Sequence, residues 1–143
     1  MFKTKNSKGF TLIEILIVIG IIAILATIVI IAINPARQFA QARDTQRVSN
    51  VNAILNAIGQ RIADNKGIFE GTLGGITCPT LPTTPTAIGA TLDACLVPTY
   101  LPQMLTDPKP DATLGGYTVV NTGGRITVAA PSKEIETTIS VTR

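Results

Sequence analysis

Lys8-Gly9-Phe10-Thr11-Leu12-Ile13-Glu14, with the apolar run that follows it to Ile33, decides how the rest of the chain is read. From Ile15 to Ile33 no residue is charged, and Thr27 carries the only hydroxyl. At ~1.5 Å rise per residue, a helix from Phe10 to Ile33 is roughly 36 Å long, enough to cross a ~30 Å hydrocarbon layer. Glu14 is the anomaly in it. An ionised side chain at the centre of a bilayer costs on the order of 2.5–3.5 kcal/mol, and residues kept at that cost are usually functional. Glu14 lies near one end of the run, where the cost falls, but its carboxylate still needs a partner. The plain alternative is a glutamate that snorkels to the interface.

A secretory signal peptide would share the basic start (Lys3, Lys5, Lys8), but its apolar region is ~7–15 residues and ends in a small-x-small cleavage site. This run is longer and has no such end. A plain single-span anchor accounts for the length and leaves Glu14 unexplained. The third reading rests on the residues themselves: Gly9-Phe10-Thr11-Leu12-Ile13-Glu14 resembles, residue for residue, the cleavage and methylation motif of the type IV pilin and pseudopilin family. The resemblance implies that a prepilin peptidase removes a leader of residues 1–9 by cutting after Gly9, and that Phe10 becomes an N-methylated terminus. It also implies that Glu14 acts in assembly. The partners so implied are further copies of this or related subunits, an assembly platform with its motor ATPase, and the cytoplasmic membrane. The physical logic is separable from the family. Cleavage creates an α-amine at Phe10 beside an apolar layer, and Glu14 supplies the opposite charge, four residues along the same helix or from a neighbouring subunit. A buried pair adds little net stability, but a misaligned one leaves a charge unpaired, so Glu14 with Phe10 is expected to set register.

With 143 residues the chain holds one domain, and the long helix takes many of them from the soluble core. Small cores of this kind often need a staple. The formal charge of +3 comes from the leader lysines, and the side chains after it balance at nine basic against nine acidic. Nothing in that balance calls for nucleic acid as a main partner. Arg37, Arg43 and Arg47 follow the apolar run and leave the positive-inside tally close to even. On a helix beside a membrane they are read as solvated or paired within a filament rather than as a contact for DNA or anionic lipid. Cys78 and Cys95 read as a disulfide in an oxidising, extracytoplasmic head, or as two buried free thiols, and their spacing fits no zinc or CxxC motif. The disulfide reading places the C-terminal head outside the membrane, and later on a cell-surface filament.

Asn34-Pro35 predicts a kink, since proline lacks an amide donor and disfavours helical geometry in the residue before it. Residues 34–66 read as an amphipathic helix after the membrane-spanning helix of 10–33. Val48, Val51, Leu55, Ile58 and Ile62, broadened by Ile54, form its apolar stripe. Arg43, Asp44, Gln46, Arg47, Asn50, Gln60 and Arg61 are expected on its solvent face. Residues 67–116 read as a disulfide-closed loop with apolar anchors, a possible helical turn at Leu92–Leu96 and a stiff Thr/Pro stretch at Thr80–Thr86. Residues 117–143 read as an antiparallel meander of strands at Tyr117–Thr122, Arg125–Ala130 and Ile135–Thr142, with Gly123-Gly124 as a hairpin turn. The expected class is α+β, a long N-terminal helix packed on a small three-stranded antiparallel sheet. The chain has no histidine and no Gly-rich phosphate loop, so catalytic Ser or Cys chemistry has no base, and neither enzyme activity nor a cofactor is expected. Asp107 and Asp111 offer too few oxygens for calcium and read as a solvated loop, so no metal site is expected. The expected function is a structural subunit of a pilus-like filament. Surface pili, secretion pseudopili and DNA-uptake pili share such a spine and differ in their loops. The alternative is a membrane-tethered extracellular binding domain that does not polymerise.

Overall fold

The computed structural model describes residues 9–112 and 115–143, so the leader lysines Lys3, Lys5 and Lys8 lie outside the described residues. The chain falls into two compact units, Met1–Gln38 and Phe39–Arg143. The first holds helix α1, Leu12–Ile33, which buries none of its residues against the rest of the chain. Its Ile- and Val-rich sequence has only moderate helix propensity in water. In lipid every backbone polar group must be satisfied within the segment, and a helix does that. Thr27 donates its hydroxyl to the Ala23 carbonyl (2.9 Å), so it too is satisfied within the helix.

At Asn34 the backbone turns left-handed (φ 48°, ψ 78°), a conformation asparagine tolerates better than most residues. Helix α2, Pro35–Asp64, begins at once, with proline in the first position, where a missing N–H costs nothing. Asn34 caps this start: its carbonyl accepts from the amides of Arg37 (3.1 Å) and Gln38 (3.4 Å). The far end of α2 stops where Lys66 and Gly67 both take positive φ, and the Gly67 amide returns to the Ile62 carbonyl (2.8 Å).

The head, from Phe39 onward, is an α+β unit. Strands β1 (Gly71–Leu73) and β2 (Ile76–Cys78) form a small hairpin, and β3 (Thr86–Ala87) and helix α3 (Ala90–Leu96) follow. Strands β4 (Thr118–Thr122), β5 (Arg125–Ala129) and β6 (Ser140–Thr142) complete an antiparallel sheet of order β3-β4-β5-β6. Gly123 and Gly124 (φ 59° and 86°) join β4 to β5 in a two-residue loop, which requires positive φ at both positions. Val119 faces Val128, Val128 faces Val141, and Ile126 lies on the same face. That face meets Val51, Ile54, Leu55 and Ile58 of α2 in a core joined by Phe69, Leu81, Leu96, Tyr117 and Ile139.

Three expectations are corrected here. The sheet has four strands rather than three, because β3 from the expected loop pairs with β4. The last strand covers only Ser140–Thr142, and Ile135 is exposed while Ile139 is buried. Most consequential is the helix face. Val48 is 42% exposed, whereas Asp44, Arg47, Asn50 and Arg61 are buried. The middle of the stripe packs as its spacing predicts, but charged residues continue it at both ends.

Those charges are satisfied by segments distant in sequence. Arg47, with no exposed surface, grips Asp107 through Nε and Nη2 (both 2.8 Å) and Asp44 through Nη1 (2.7 Å). The remaining donors reach Glu134 Oε1 (3.3 Å) and the Lys109 carbonyl (3.1 Å), so each of the five guanidinium N–H groups is placed. Asp44 in turn accepts the successive backbone amides of Glu134, Ile135 and Glu136, the Ile135 amide at 2.7 Å. Arg43 chelates Glu134 at 2.6 and 2.7 Å, and Lys109 Nζ lies 3.3 Å from the same carboxylate. The segment expected to extend the last strand is thus held as a loop by carboxylate–amide bonds.

Burial pushes the Asp44 carboxyl up, but the backbone amides of Glu136, Ile135 and Glu134 and the Arg47 guanidinium outweigh it and hold it below its ordinary value. Burial likewise raises Asp107, and Arg47 with the Lys109 amide brings it below. Arg43 holds Glu134 down to about 2, helped by Lys109 and Arg47, and the Asp107 carboxylate raises Arg47.

Removing one partner of a buried ion pair strands the other's charge, at a cost of about 3–5 kcal/mol. Arg47→Met, which strands Asp44 and Asp107, is expected to destabilise the head by that order in urea titrations of the full chain in detergent micelles. Carboxyls whose folded values are depressed stabilise fully above their unfolded range near ~4 and lose that contribution as pH falls through the folded values. The wild-type head is therefore expected to unfold progressively below pH ~4 and toward about 2, the Glu134 value. An acid titration by circular dichroism that shows no loss in this window contradicts the assignment.

Candidate processing and assembly site

Gly9, Phe10 and Thr11 precede the first turn of α1 and are exposed, Phe10 to 84%. Thr11 is the N-cap, and with Glu14 it closes a capping box. The Thr11 amide and hydroxyl both donate to Glu14 Oε2 (2.8 Å each), and the hydroxyl oxygen accepts the Glu14 amide (3.3 Å). The box starts the helix two residues beyond the Gly9–Phe10 peptide and so leaves that peptide outside helical geometry. Among the described residues, a Cβ built on Gly9 would meet nothing within 4 Å. The partner that Glu14 needs is Thr11, three residues before it at the start of the same helix. In the uncut chain Phe10 nitrogen is an amide, and the amine that Glu14 is proposed to meet appears only on cleavage.

Beyond the box, α1 runs 22 residues with mean hydropathy 3.4 and no residue buried in the chain. Among the described residues it is the one helix long and apolar enough to cross a membrane. The buried core of the head draws on residues from Val51 onward.

Residues 4–30 match the family model of the prokaryotic N-terminal methylation motif. The chain therefore carries the prepilin-type N-terminus of type IV pilins and pseudopilins, with Gly9, Phe10 and Glu14 inside the matched segment. This motif implies prepilin peptidase as the processing partner and membrane anchoring before assembly. No curated protein and no solved structure matches the chain.

The other residues singled out by sequence lie in the head. Cys78, at the end of β2, and Cys95, in α3, are joined by a disulfide that spans 17 residues. In the chain-entropy picture a loop of this size adds about 3 kcal/mol, as a small core requires. Asp107 is not a solvated loop residue: both its carboxylate oxygens are held by Arg47. The Asp111 amide is fixed by Ser132 Oγ (3.1 Å), and among the described residues no cluster of three acidic, His or Cys ligands forms. An open apolar groove of about 260 Å³ lies between Ile88, Met104, Leu105 and Tyr117, and its carboxylate, Asp107, is the one already occupied by Arg47.

Thr11→Val removes the hydroxyl but keeps the shape, and losing such a cap costs about 1 kcal/mol. Amide hydrogen exchange in micelles is expected to show the Glu14 amide exchanging about five-fold faster in Thr11→Val and near wild type in Thr11→Ser.

Proposed function

We propose that this chain is a structural subunit of a type IV pilus-like filament, processed after Gly9, methylated at Phe10 and assembled through its N-terminal helix. The observation that carries the reading is the pairing of a prepilin-type motif over residues 4–30 with a helix that its own chain leaves uncovered. In the membrane, lipid covers α1. In a filament, the α1 helices of neighbouring copies take its place, so packing and charge pairing rather than escape from water select the arrangement. Leader removal frees the Phe10 amine, and Glu14 of an entering subunit pairs with that amine on a neighbour. The charge on Glu14 then favours one axial register, because any other leaves two charges unpaired in an apolar core.

The head stands outside the cytoplasmic membrane before assembly and on the filament surface after it. Its disulfide supports this placement, since such bonds persist in oxidising compartments. Asn34 and Pro35 act as the joint between the filament core helix and the head helix. The chain is a substrate of its peptidase and methyltransferase, and the motor that extracts it is a separate ATPase. These roles define the partners: other copies, the processing enzymes and the assembly platform.

Mass spectrometry of the mature protein tests processing directly. The expected N-terminal peptide begins at N-methylated Phe10, and a peptide that retains residues 1–9 supports a tether that does not polymerise. Glu14→Ala tests register: recovery of the subunit in sheared filaments is expected to fall about ten-fold or more. Unchanged recovery overturns the pairing role of Glu14.

A further inference from the structure

Arg37, Arg43 and Arg47 follow the apolar helix, and the structure sorts them. Arg43 and Arg47 are turned into the head, where Glu134, Asp107 and Asp44 hold them. Arg37 is exposed, and among the described residues its guanidinium meets no carboxylate or carbonyl. Its backbone amide is fixed by Asn34, through the carbonyl (3.1 Å) and Oδ1 (3.4 Å). A cation anchored in this way stands at a defined distance from the apolar segment.

That distance is informative. Arg37 is the third residue of α2, four residues past Ile33 across the left-handed turn at Asn34, and so no more than ~14 Å from it. The headgroup layer is about 5–7 Å thick on either side of the ~30 Å hydrocarbon core. With Ile33 at the hydrocarbon edge, the long side chain of Arg37 reaches the depth of the lipid phosphates. A guanidinium offers paired donors that match phosphate oxygens, and its long aliphatic stem lets it adjust to the interface. From Ile33 back to Glu14 the helix covers ~29 Å, close to the full hydrocarbon thickness. The two polar stops are thus spaced to sit on opposite boundaries of the same bilayer.

We propose that Arg37 binds lipid headgroup phosphate and sets the depth of α1, holding Glu14 at the opposite hydrocarbon boundary until the subunit leaves the membrane. The inference rests on the membrane-resident stage of the function proposed above and is independent of polymerisation. Without this hold, Glu14 draws the helix toward its own side and into water. Arg37→Lys keeps a cation at the same depth, whereas Arg37→Gln removes it without touching the head.

The chain has no tryptophan, so Leu16→Trp places a single reporter two residues inside Glu14. The full chain with this reporter goes into phosphatidylethanolamine–phosphatidylglycerol vesicles that carry lipids brominated at several acyl depths. The expected result is that Arg37→Gln moves the reporter toward the headgroups by up to about one turn, ~5 Å, and that Arg37→Lys does not. Excess inorganic phosphate is expected to leave the wild-type depth unchanged. A shift that reproduces Arg37→Gln would assign the site to free phosphate and overturn the lipid assignment. An inserted chain with the same reporter depth in wild type and Arg37→Gln overturns this inference alone. A wild-type reporter that no brominated lipid quenches overturns the membrane-resident stage along with it.

Discussion

An apolar helix that buries none of its residues among the described ones constrains everything else in this molecule. Every large apolar side chain of α1 is half or more exposed, from Leu12 at one end to Ile33 at the other. Leaving a single such side chain in water forgoes about 1.5–3 kcal/mol, so the helix as a whole forgoes tens of kcal/mol. A folded domain has only ~5–15 kcal/mol of net stability to set against that. No arrangement of the head could make water an acceptable solvent for α1. Its surroundings are therefore part of its structure: in the proposed function these are lipid at one stage and other helices at another, with the prepilin-type motif at its start as the means of passing between them.

The head meets a different difficulty, a small core with long irregular connections, and answers it with buried arginines at both ends of the packed face of α2. Arg47 and its carboxylates bind the loop at Asp107–Lys109 and the loop at Glu134–Glu136 to the helix. Arg61 does the same at the other end. Its Nε and Nη2 donate to the carbonyls of Phe69 and Gly71 (3.0 Å each), and its guanidinium lies 5.4 Å from the Phe69 ring centre. A hydrophobic side chain in either place could pack, but it could not satisfy the carbonyls and amides of a loop that has no strand partner. With the disulfide between β2 and α3, these arginines tie residues 67–112 to the rest of the head despite little regular structure.

Much of this was legible in the sequence, and the failures share one cause. Local signals hold wherever neighbours in sequence decide the outcome. The apolar run gives α1, Asn34-Pro35 interrupts it, and Gly123-Gly124 turns the hairpin. The Val51–Ile58 stripe gives the face that packs. They fail where the deciding partner is far along the chain. Arg47 and Asp44 look like solvent-face residues because charged side chains are rarely buried unless paired. Their partners lie 60 and 90 residues away. The same blindness extended the last strand through Ile135, whose alternation reads as a strand until Asp44 claims its amide. β3 was missed for another reason, since two residues carry too little pattern to read. At the N-terminus the Thr11-x-x-Glu14 spacing is a capping-box signature, but a carboxylate in an apolar run points equally to a charged partner.

That box alters what the charge on Glu14 has to do. A carboxylate that accepts both the amide and the hydroxyl of Thr11 is already partly solvated by its own helix. It can stay ionised at the edge of an apolar layer before any neighbour arrives. Both bonds fall on Oε2, and among the described residues Oε1 accepts nothing. A second cation can therefore be met without giving up the first set of bonds. Pairing with a neighbour's terminal amine then adds to a satisfied group rather than rescuing an unsatisfied one. The net gain from such a pair is small once both charges are desolvated. The loss from misplacing it is large, because the neighbour's amine has no comparable box of its own. In the proposed filament the discriminating charge is therefore the neighbour's amine at Phe10, the mark against which the Glu14 of each entering subunit is measured.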